Sequence, residues 1–377
     1  MNRIVVFVAF LLLALPAQAQ LKAGPWVCDA GEHSLTIAWT SELPGMAYVE
    51  LEDGSLHYEM FAGRRIFERL HQVTIKGLAR GAVVRYRVCG ENLKDDANPR
   101  KPAFQGGYTS DWMAVRTLDH TASSCHFTVF NDIHMRVDDY AAMAAQVDSA
   151  NTDFLFLNGD IVSAGNYDLD ALVEHAIVPL GALPQGLPLL FARGNHEGRG
   201  NNPKLIAEVF RGSEAAPFYY TFRQGPVAFI VLDAGETGKN RSILFSGGDV
   251  YEEYLAEQIA WAREAMQESW FRKAPLKVCL LHVPMIDHED KNDYLLQRWL
   301  NQHFMKLLNS AGIDLMIGAD LHEYMLCEPG TMGNRFPIIV NDDAHRLQFD
   351  YTRGGNYLVR SYGPDGTMEF EYGSSSR

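Results

Sequence analysis

Cysteine is scarce in this chain and poorly arranged for metal chemistry. Cys28, Cys89, Cys125, Cys279 and Cys327 are the only five, and no two of them form a CxxC pair. That spacing excludes an ordinary thiolate zinc site, and the odd count rules out a fully paired disulfide framework. Cys28 and Cys89 remain a candidate pair, whereas Cys125 and Cys279 lie in apolar runs and read as small buried side chains. Positive charge is also short, with 33 Lys and Arg against 47 Asp and Glu and a net charge of −14. A chain this acidic does not neutralise a nucleic-acid backbone, so nucleic-acid scaffold binding is not expected. A phosphate site built on bound cations stays compatible, because the ion's charge is local. Long apolar runs are missing after the first twenty residues, so no membrane span is expected.

Those first twenty residues have the form of a targeting segment. Arg3 opens it, Ile4 to Leu15 is its apolar core, and Ala17-Gln18-Ala19 is a small-x-small cleavage site. The mature chain is expected to begin at Gln20, making the protein exported, either secreted or periplasmic. An uncleaved anchor would need a longer apolar run, and no cysteine at the cleavage point offers a lipid attachment.

The rest divides in two by pattern. Residues 20–119 alternate apolar and polar side chains over short stretches: Ser34–Thr40, Ala47–Leu51, Gln72–Ile75 and Val83–Val88. Turn residues at Leu43-Pro44-Gly45, Asp53-Gly54, Lys76-Gly77 and Arg80-Gly81 separate them, which predicts a small β-sandwich with Trp39 in its core. Glu91–Gly107 reads as a long hairpin or a contact to the next domain, and Asp119–Ser124 as a linker. From residue 120 to 377 strands alternate with helices. Strands are expected at Cys125–Phe130, Phe154–Leu157, Leu187–Phe191, Val227–Leu232, Leu276–Leu281, Ile313–Ile317, Phe336–Val340 and Asn356–Val359. Helices are expected at Asp138–Ser149, Asp168–Leu180, Tyr251–Phe271 and Asp293–Ser310. This is a layered α/β domain, with Gly373–Arg377 expected to fray.

Five of these strands end in metal-binding side-chain types. Asn131, Asp132 and His134 follow the first, Gly159 and Asp160 the second, and Gly194, Asn195, His196 and Glu197 the third. His282 follows Leu276–Leu281, and Asp320 and His322 follow Ile313–Ile317. An Asp after a strand is ordinarily a turn or helix cap. Five such ends in one domain would converge, because ligands meet α/β sheets at the carboxyl ends of strands. Asp160 has two oxygens and could bridge two cations that grip both the attacking and leaving oxygens of a phosphoryl displacement.

The order Asp-x-His, Gly-Asp, Gly-Asn-His-Glu, His, Gly-x-x-x-His resembles the calcineurin-like metallophosphoesterase superfamily. The tetrad and the preceding all-β domain resemble its purple acid phosphatase branch, in which a fibronectin type III-like domain comes first. The resemblance implies a layered β-sandwich flanked by helices and a dinuclear centre of divalent Mn, Fe, Zn or Mg. Asp132, His134, Asp160 and His322 would hold one metal, and Asp160, Asn195, His282 and Asp320 the other. His196, with Asn195, would contact the phosphate of a small-molecule or exposed phosphoester. His196 would also protonate the leaving group or stabilise the transition state, while a hydroxide on the metals attacks in line.

Two departures stand out. Ser163 occupies the place of the iron-binding tyrosine of Gly-Asp-x-x-Tyr, so His134 is expected to fill that coordination place in a colourless protein. Asp320 stands where the family has a histidine. A shorter, oxygen-donating ligand there favours oxygen-loving ions or weakens the second site, with His288 a possible substitute. The rival reading is a non-catalytic or single-metal binding protein on a degraded scaffold. Glu197 reads as a supporting residue, and Arg136, Arg193 and Arg199 as candidates to meet phosphate oxygens or as solvated charges. Arg64 and Arg65 read as exposed. The loops Gly198–Pro203, with Asn201 and Asn202, Gly235–Asp249 and Asp287–Asp293 are expected to wall the substrate site. Oligomeric state is not readable.

Overall fold

Near-continuous apolar runs such as Phe154–Asn158 and Val227–Leu232 form strands buried on both faces, and they set two sheets face to face. The computed structural model describes residues 21–98, 100–163, 167–183, 186–200, 202–213, 216–236, 248, 250–286 and 295–375. The targeting segment, Asn201, His288 and most of the loops 235–249 and 287–293 lie outside the described residues.

In the larger sheet, Ser124–Phe130, Phe154–Asn158 and Pro188–Ala192 run parallel, with Arg346–Thr352, Asn356–Tyr362 and Met368–Ser375 added antiparallel on one side. In the smaller sheet, Val227–Leu232, Leu276–Leu281, Leu315–Gly318 and Ile338–Val340 are parallel, edged by Tyr220–Gln224 and Met325–Cys327. The facing surfaces close on an aromatic cluster. Phe127 stacks on Phe154 (centroids 4.9 Å apart) and Phe349 (4.7 Å), and meets Phe229 of the other sheet edge-on at 5.4 Å. Helices Val137–Ala145, Leu169–Ala176 and Pro203–Arg211 cover the outer face of the large sheet over Phe130, Tyr140, Leu172 and Phe210. Tyr251–Ala265, Ser269–Arg272 and Leu295–Ala311 flank the small sheet, over Leu255, Phe271, Phe304 and Leu308. The expected α/β sandwich between helical layers is the observed one.

The first part of the chain is all β, as its alternation predicts. Ser34–Leu51 is one long strand rather than two. It runs through Pro44-Gly45 with a register shift, pairing first with Glu68–Lys76 and then with Val83–Asp95. Glu91–Gly107 belongs to a hairpin of Val83–Asp95 and Ala103–Thr109. Trp39 is fully buried, and its Nε1–H donates to Tyr108 Oη at 2.8 Å. Leu21–Cys28 pairs in parallel with Pro188–Ala192, so hydrogen bonding continues from the N-terminal strands into the large sheet. Lys22 and Arg69 both pair with Asp170 at 2.7 Å, on helix Leu169–Ala176.

Other expectations are corrected. The helix expected over Tyr251–Phe271 breaks after Ala265, because Glu268 turns extended (φ −54°, ψ 135°) and restarts a short helix that buries Phe271. Gly373–Ser375 do not fray but pair with Asn356–Leu358. All five cysteines are free and buried, so Cys28 and Cys89 form no disulfide. Arg64 and Arg65 are exposed as expected, Arg65 lying 3.7 Å over the Tyr58 ring.

The aromatic cluster yields a direct test. Phe127→Ala should cost about 3–5 kcal/mol of unfolding free energy in a denaturant titration. A loss below about 1 kcal/mol would show that the sheet contact does not depend on this ring.

Candidate metal centre

Parallel strands of both sheets end at one edge, and there the chain leaves regular structure abruptly. Asp132, His134, Met135, Asp160, Asp320 and His322 all have positive φ, between 46° and 69°. Each left-handed non-glycine residue costs on the order of 1 kcal/mol, a strain that concentrates at functional sites. A short ladder holds these turns together: Asp132 N–H donates to Gly159 O (3.0 Å), His134 N–H to Asp160 O (3.0 Å) and Met135 N–H to Ile161 O (3.3 Å). Two glycines permit the approach. A Cβ on Gly159 would strike the His282 ring, and one on Gly194 would strike Asp160.

The side chains presented there form three overlapping groups able to hold a cation: Asp132, His134 and His322; His134, Asp160 and His196; Asp132, Asp160 and His282. His322 Nε2 is 3.2 Å from His134 Nε2 and 3.4 Å from Asp132 Oδ1. His282 Nε2 is 3.3 Å from Asp160 Oδ2 and 3.9 Å from Asp132 Oδ1 and from Asp320 Oδ1. Asp320 is thus brought to the site despite its short side chain, and its N–H donates to Asp132 Oδ2 (3.1 Å). His196 Nε2 lies 3.7 Å from Asp160 Oδ2. Asp132, His134, Asp160, His196, His282 and His322 fall in these groups, Asp320 lies beside His282, and Asn195 lies beside Asp160.

One observation fits a cation. Asp132 Oδ1 is buried and accepts no hydrogen bond, although histidine nitrogens surround it. Asn195 stands between Asp160 and Arg199, with its amide nitrogen placed to donate to the Asp160 carboxylate (3.2 and 3.1 Å) and its oxygen to accept from Arg199 Nη2 (3.0 Å).

The electrostatics agree. Burial, aided by the neighbouring imidazoles, lowers His134 to about 4, so its ring is neutral and has a lone pair to give. Burial would raise Asp160, but His282 and His196 hold it down at about 2. Burial and the charge of Asp160 push Asp132 up. Burial alone would lower His282, yet the charges of Asp160 and Asp132 raise it well above its ordinary value. His282 Nδ1–H donates to Asn158 O at 2.6 Å, which aims Nε2 at the carboxylates. A divalent cation would displace the proton that Nε2 carries.

Supporting residues complete the picture. Glu197 accepts from four backbone N–H groups: Asp160 (2.9 Å), Gly194 (2.8 Å), Ile161 (2.8 Å) and Val162 (3.3 Å). Its role is structural, as expected. Arg136 donates to Asp132 O (2.7 Å) and pairs with Asp343 at 3.1 Å, and Arg193 pairs with buried Asp233 at 2.6 Å. Both are committed to carboxylates. Arg199 alone of the three touches His196. Ser163 turns away, donating to His134 O at 3.1 Å. Asn202 lines a small cavity beside His196 and Arg199. Asn131, named at a strand end but given no role of its own, donates to Asp132 Oδ2 (2.9 Å), and two residues not foreseen are Asp343, 3.4 Å from His322 Nδ1, and Glu236 beside Arg199. Asp343 and Glu236 follow the strands Ile338–Val340 and Val227–Leu232, and that position was the available signal.

Glu197→Gln replaces two acceptor sites with an NH₂ that opposes backbone donors. It should cost about 1–3 kcal/mol of stability and weaken cation binding. Unfolding curves with and without cation check this, and unchanged stability would remove Glu197 from its supporting role.

Comparison with known proteins places the fold. The chain is similar to the purple acid phosphatase PPD1 from yellow lupin (Lupinus luteus) seeds, at 14% identity and a TM-score of 0.66, over 93% of this chain and 74% of that one. It is also similar to GAP50, the anchor in the inner membrane complex of Plasmodium, at 12% identity and a TM-score of 0.51, over 68% of this chain and 90% of that one. No curated protein matches it in sequence. The family model for calcineurin-like phosphoesterase matches residues 125–324, which is more than half of the chain and contains the strand ends that carry Asp132, Asp160, Asn195, His282 and Asp320. The chain belongs to the calcineurin-like phosphoesterase family.

Proposed function

We propose that the protein is an exported, metal-dependent phosphoester hydrolase with a dinuclear centre. The observation that carries this reading is the convergence of Asp132, His134, Asp160, His282 and His322 at one edge, with Asp132 Oδ1 buried and unsatisfied among them. Asp132, His134, Asp160 and His322 would hold one divalent cation, and Asp160, Asn195, His282 and Asp320 the other. Bound cations would supply Lewis-acid stabilisation of the phosphoryl oxygens and activation of water. His134 takes the place of the branch's tyrosine, since Ser163 is turned to the backbone. Asp320 suits oxygen-favouring ions among Mn, Fe, Zn and Mg.

The chain's own groups handle orientation and protons. Asn195 and His196 meet the phosphoryl group. Water oxygen forms the new P–O bond as the ester P–O bond breaks. His196 passes a proton to the departing oxygen, and water supplies that proton in return. Asp160 is the shared ligand, held by the Glu197 cradle. Residues 20–119 form a fibronectin type III-like module ahead of the catalytic domain at 120–377. The apolar segment before Gln20 supports export.

The second reading is a binding protein on a phosphoesterase scaffold. It draws on the similarity to GAP50, described as an anchor. The full donor set weighs against it, since an anchoring role needs none of those side chains.

Metal analysis paired with assays of monoaryl and diaryl phosphates across Mn, Fe, Zn and Mg separates the two. Hydrolase function predicts two cations per chain and turnover. One cation or none, with no turnover in any metal, would establish the binding reading. Asp160→Asn should lower kcat by at least about 10³-fold, and substantial residual activity would defeat the shared-ligand assignment. Asp320→His should tighten the second cation or change the preferred ion in a titration. If neither changes, Asp320 is not a ligand.

A further inference from the structure

Arg199 sits one residue beyond the 3₁₀ turn His196–Gly198, which leads out of the Gly-Asn-His-Glu tetrad. Its guanidinium is fixed from behind. Nε donates to Glu236 Oε2 at 2.6 Å and Nη2 to Glu236 Oε1 at 2.9 Å, a bidentate pair in which Glu236 is only 1% exposed. A buried carboxylate committed to a cation in this way holds the planar fork in one orientation. The front of the fork faces the site. Nη1 lies 2.8 Å from His196 Nε2. Arginine only donates, so Nε2 accepts and the ring proton sits on Nδ1. The remaining Nη2 hydrogen points towards the Asn195 amide, whose oxygen is placed to accept it at 3.0 Å.

The guanidinium therefore stands between a buried carboxylate and the cluster of Asp and His side chains, with its Nη groups turned to the site. It is a fixed positive charge with no use in binding cations, and an anionic oxygen is the partner it suits.

Building on the hydrolase reading above, we propose that Arg199, positioned by Glu236, receives the third non-bridging oxygen of a phosphomonoester and makes the site selective for monoesters over diesters. A monoester phosphoryl group has three non-bridging oxygens sharing two negative charges. With cations held by the Asp and His donor set, two of these oxygens would be neutralised there, and the third is left for the Arg199 guanidinium. In a diester that position carries a neutral, substituted oxygen. It accepts weakly, and its substituent meets the rigid Arg199–Glu236 pair. Binding of the monoester oxygen takes Nη1 away from His196 Nε2 and releases that nitrogen to carry the proton for the leaving group.

The test compares the full-length protein with Arg199→Met, Arg199→Lys and Glu236→Gln, each checked for cation content and melting temperature. For Arg199→Met, kcat/KM on a monoaryl phosphate should fall about 10²-fold and that on a diaryl phosphate only a few-fold, so the selectivity ratio collapses. Arg199→Lys should restore part of the monoester rate. Glu236→Gln should raise the monoester KM more than it lowers kcat, because it loosens the fork without removing it. Two readouts do not involve turnover. Inorganic phosphate should bind the cation-loaded Arg199→Met protein about tenfold more weakly by calorimetry. In the cation-free protein, ¹⁵N NMR should show His196 as the Nδ1–H tautomer, and Arg199→Met should lose that preference. Equal losses on both substrates, or unchanged phosphate affinity, would overturn the inference and leave the hydrolase reading intact. No turnover of either substrate by the unsubstituted, cation-loaded protein would overturn both.

Discussion

The hydrogen bond from His282 Nδ1 to Asn158 O, 2.6 Å long, ties the two sheets together where the chemistry is placed. One partner ends a strand of the smaller sheet, and the other is the last residue of a strand of the larger sheet. It fixes which ring nitrogen faces the carboxylates, and so fixes the register of one strand edge against the other. The remaining turns fit around this point. Gly159 must lack a side chain because the ring lies against it, and Asp160 must turn left-handed to face the same ring. Glu197 then collects the backbone N–H groups that this turn leaves over.

A cluster of this kind is costly to hold together without a counter-charge. Carboxylates converge in a buried place, and several residues are in strained backbone conformations. In the cation-free chain, protonation of His282 offsets part of the repulsion. The supporting interactions lie outside the cluster: the Arg136–Asp343 pair, the Asn131–Asn341 bond at 2.8 Å and the Glu197 cradle. They grip the cluster from its rim: Asn131 also donates to Asp132 Oδ2, and Asp343 also lies beside His322 Nδ1.

Much of this was legible from the sequence for a simple reason. A side chain that follows closely on a buried strand is placed by the strand itself, and Asp132, Asp160, Asn195, His282 and His322 are all of that type. Residues that act through a partner were not legible. Asp343 and Glu236 follow strands too, but their meaning depends on His322 and Arg199, which only the folded chain brings near. Arg136, Arg193 and Arg199 looked equivalent in sequence and each pairs with a carboxylate; the contact with His196 is what sets Arg199 apart. Local chemistry was also underused. Pro203 at the first helical position and left-handed Gly212 at the end delimit helix Pro203–Arg211 by known rules, yet no helix was expected there. The strand Ser34–Leu51 shows the opposite failure. Pro44-Gly45 reads as a turn, but pairing with two different partners carries the strand through it.

The parallel pairing of Leu21–Cys28 with Pro188–Ala192 gives the N-terminal strands a part in the phosphoesterase fold. Pro188–Ala192 leads straight into Gly194–Glu197. Cutting the chain near residue 119 would leave that strand as a bare edge, with Leu189 losing its cover and a row of unpaired amides open to other chains. The N-terminal strands and the α/β part are therefore poor candidates for separate lives. Any rearrangement in evolution that swapped one for another would have to supply a replacement strand, in the same direction, beside the Gly-Asn-His-Glu tetrad.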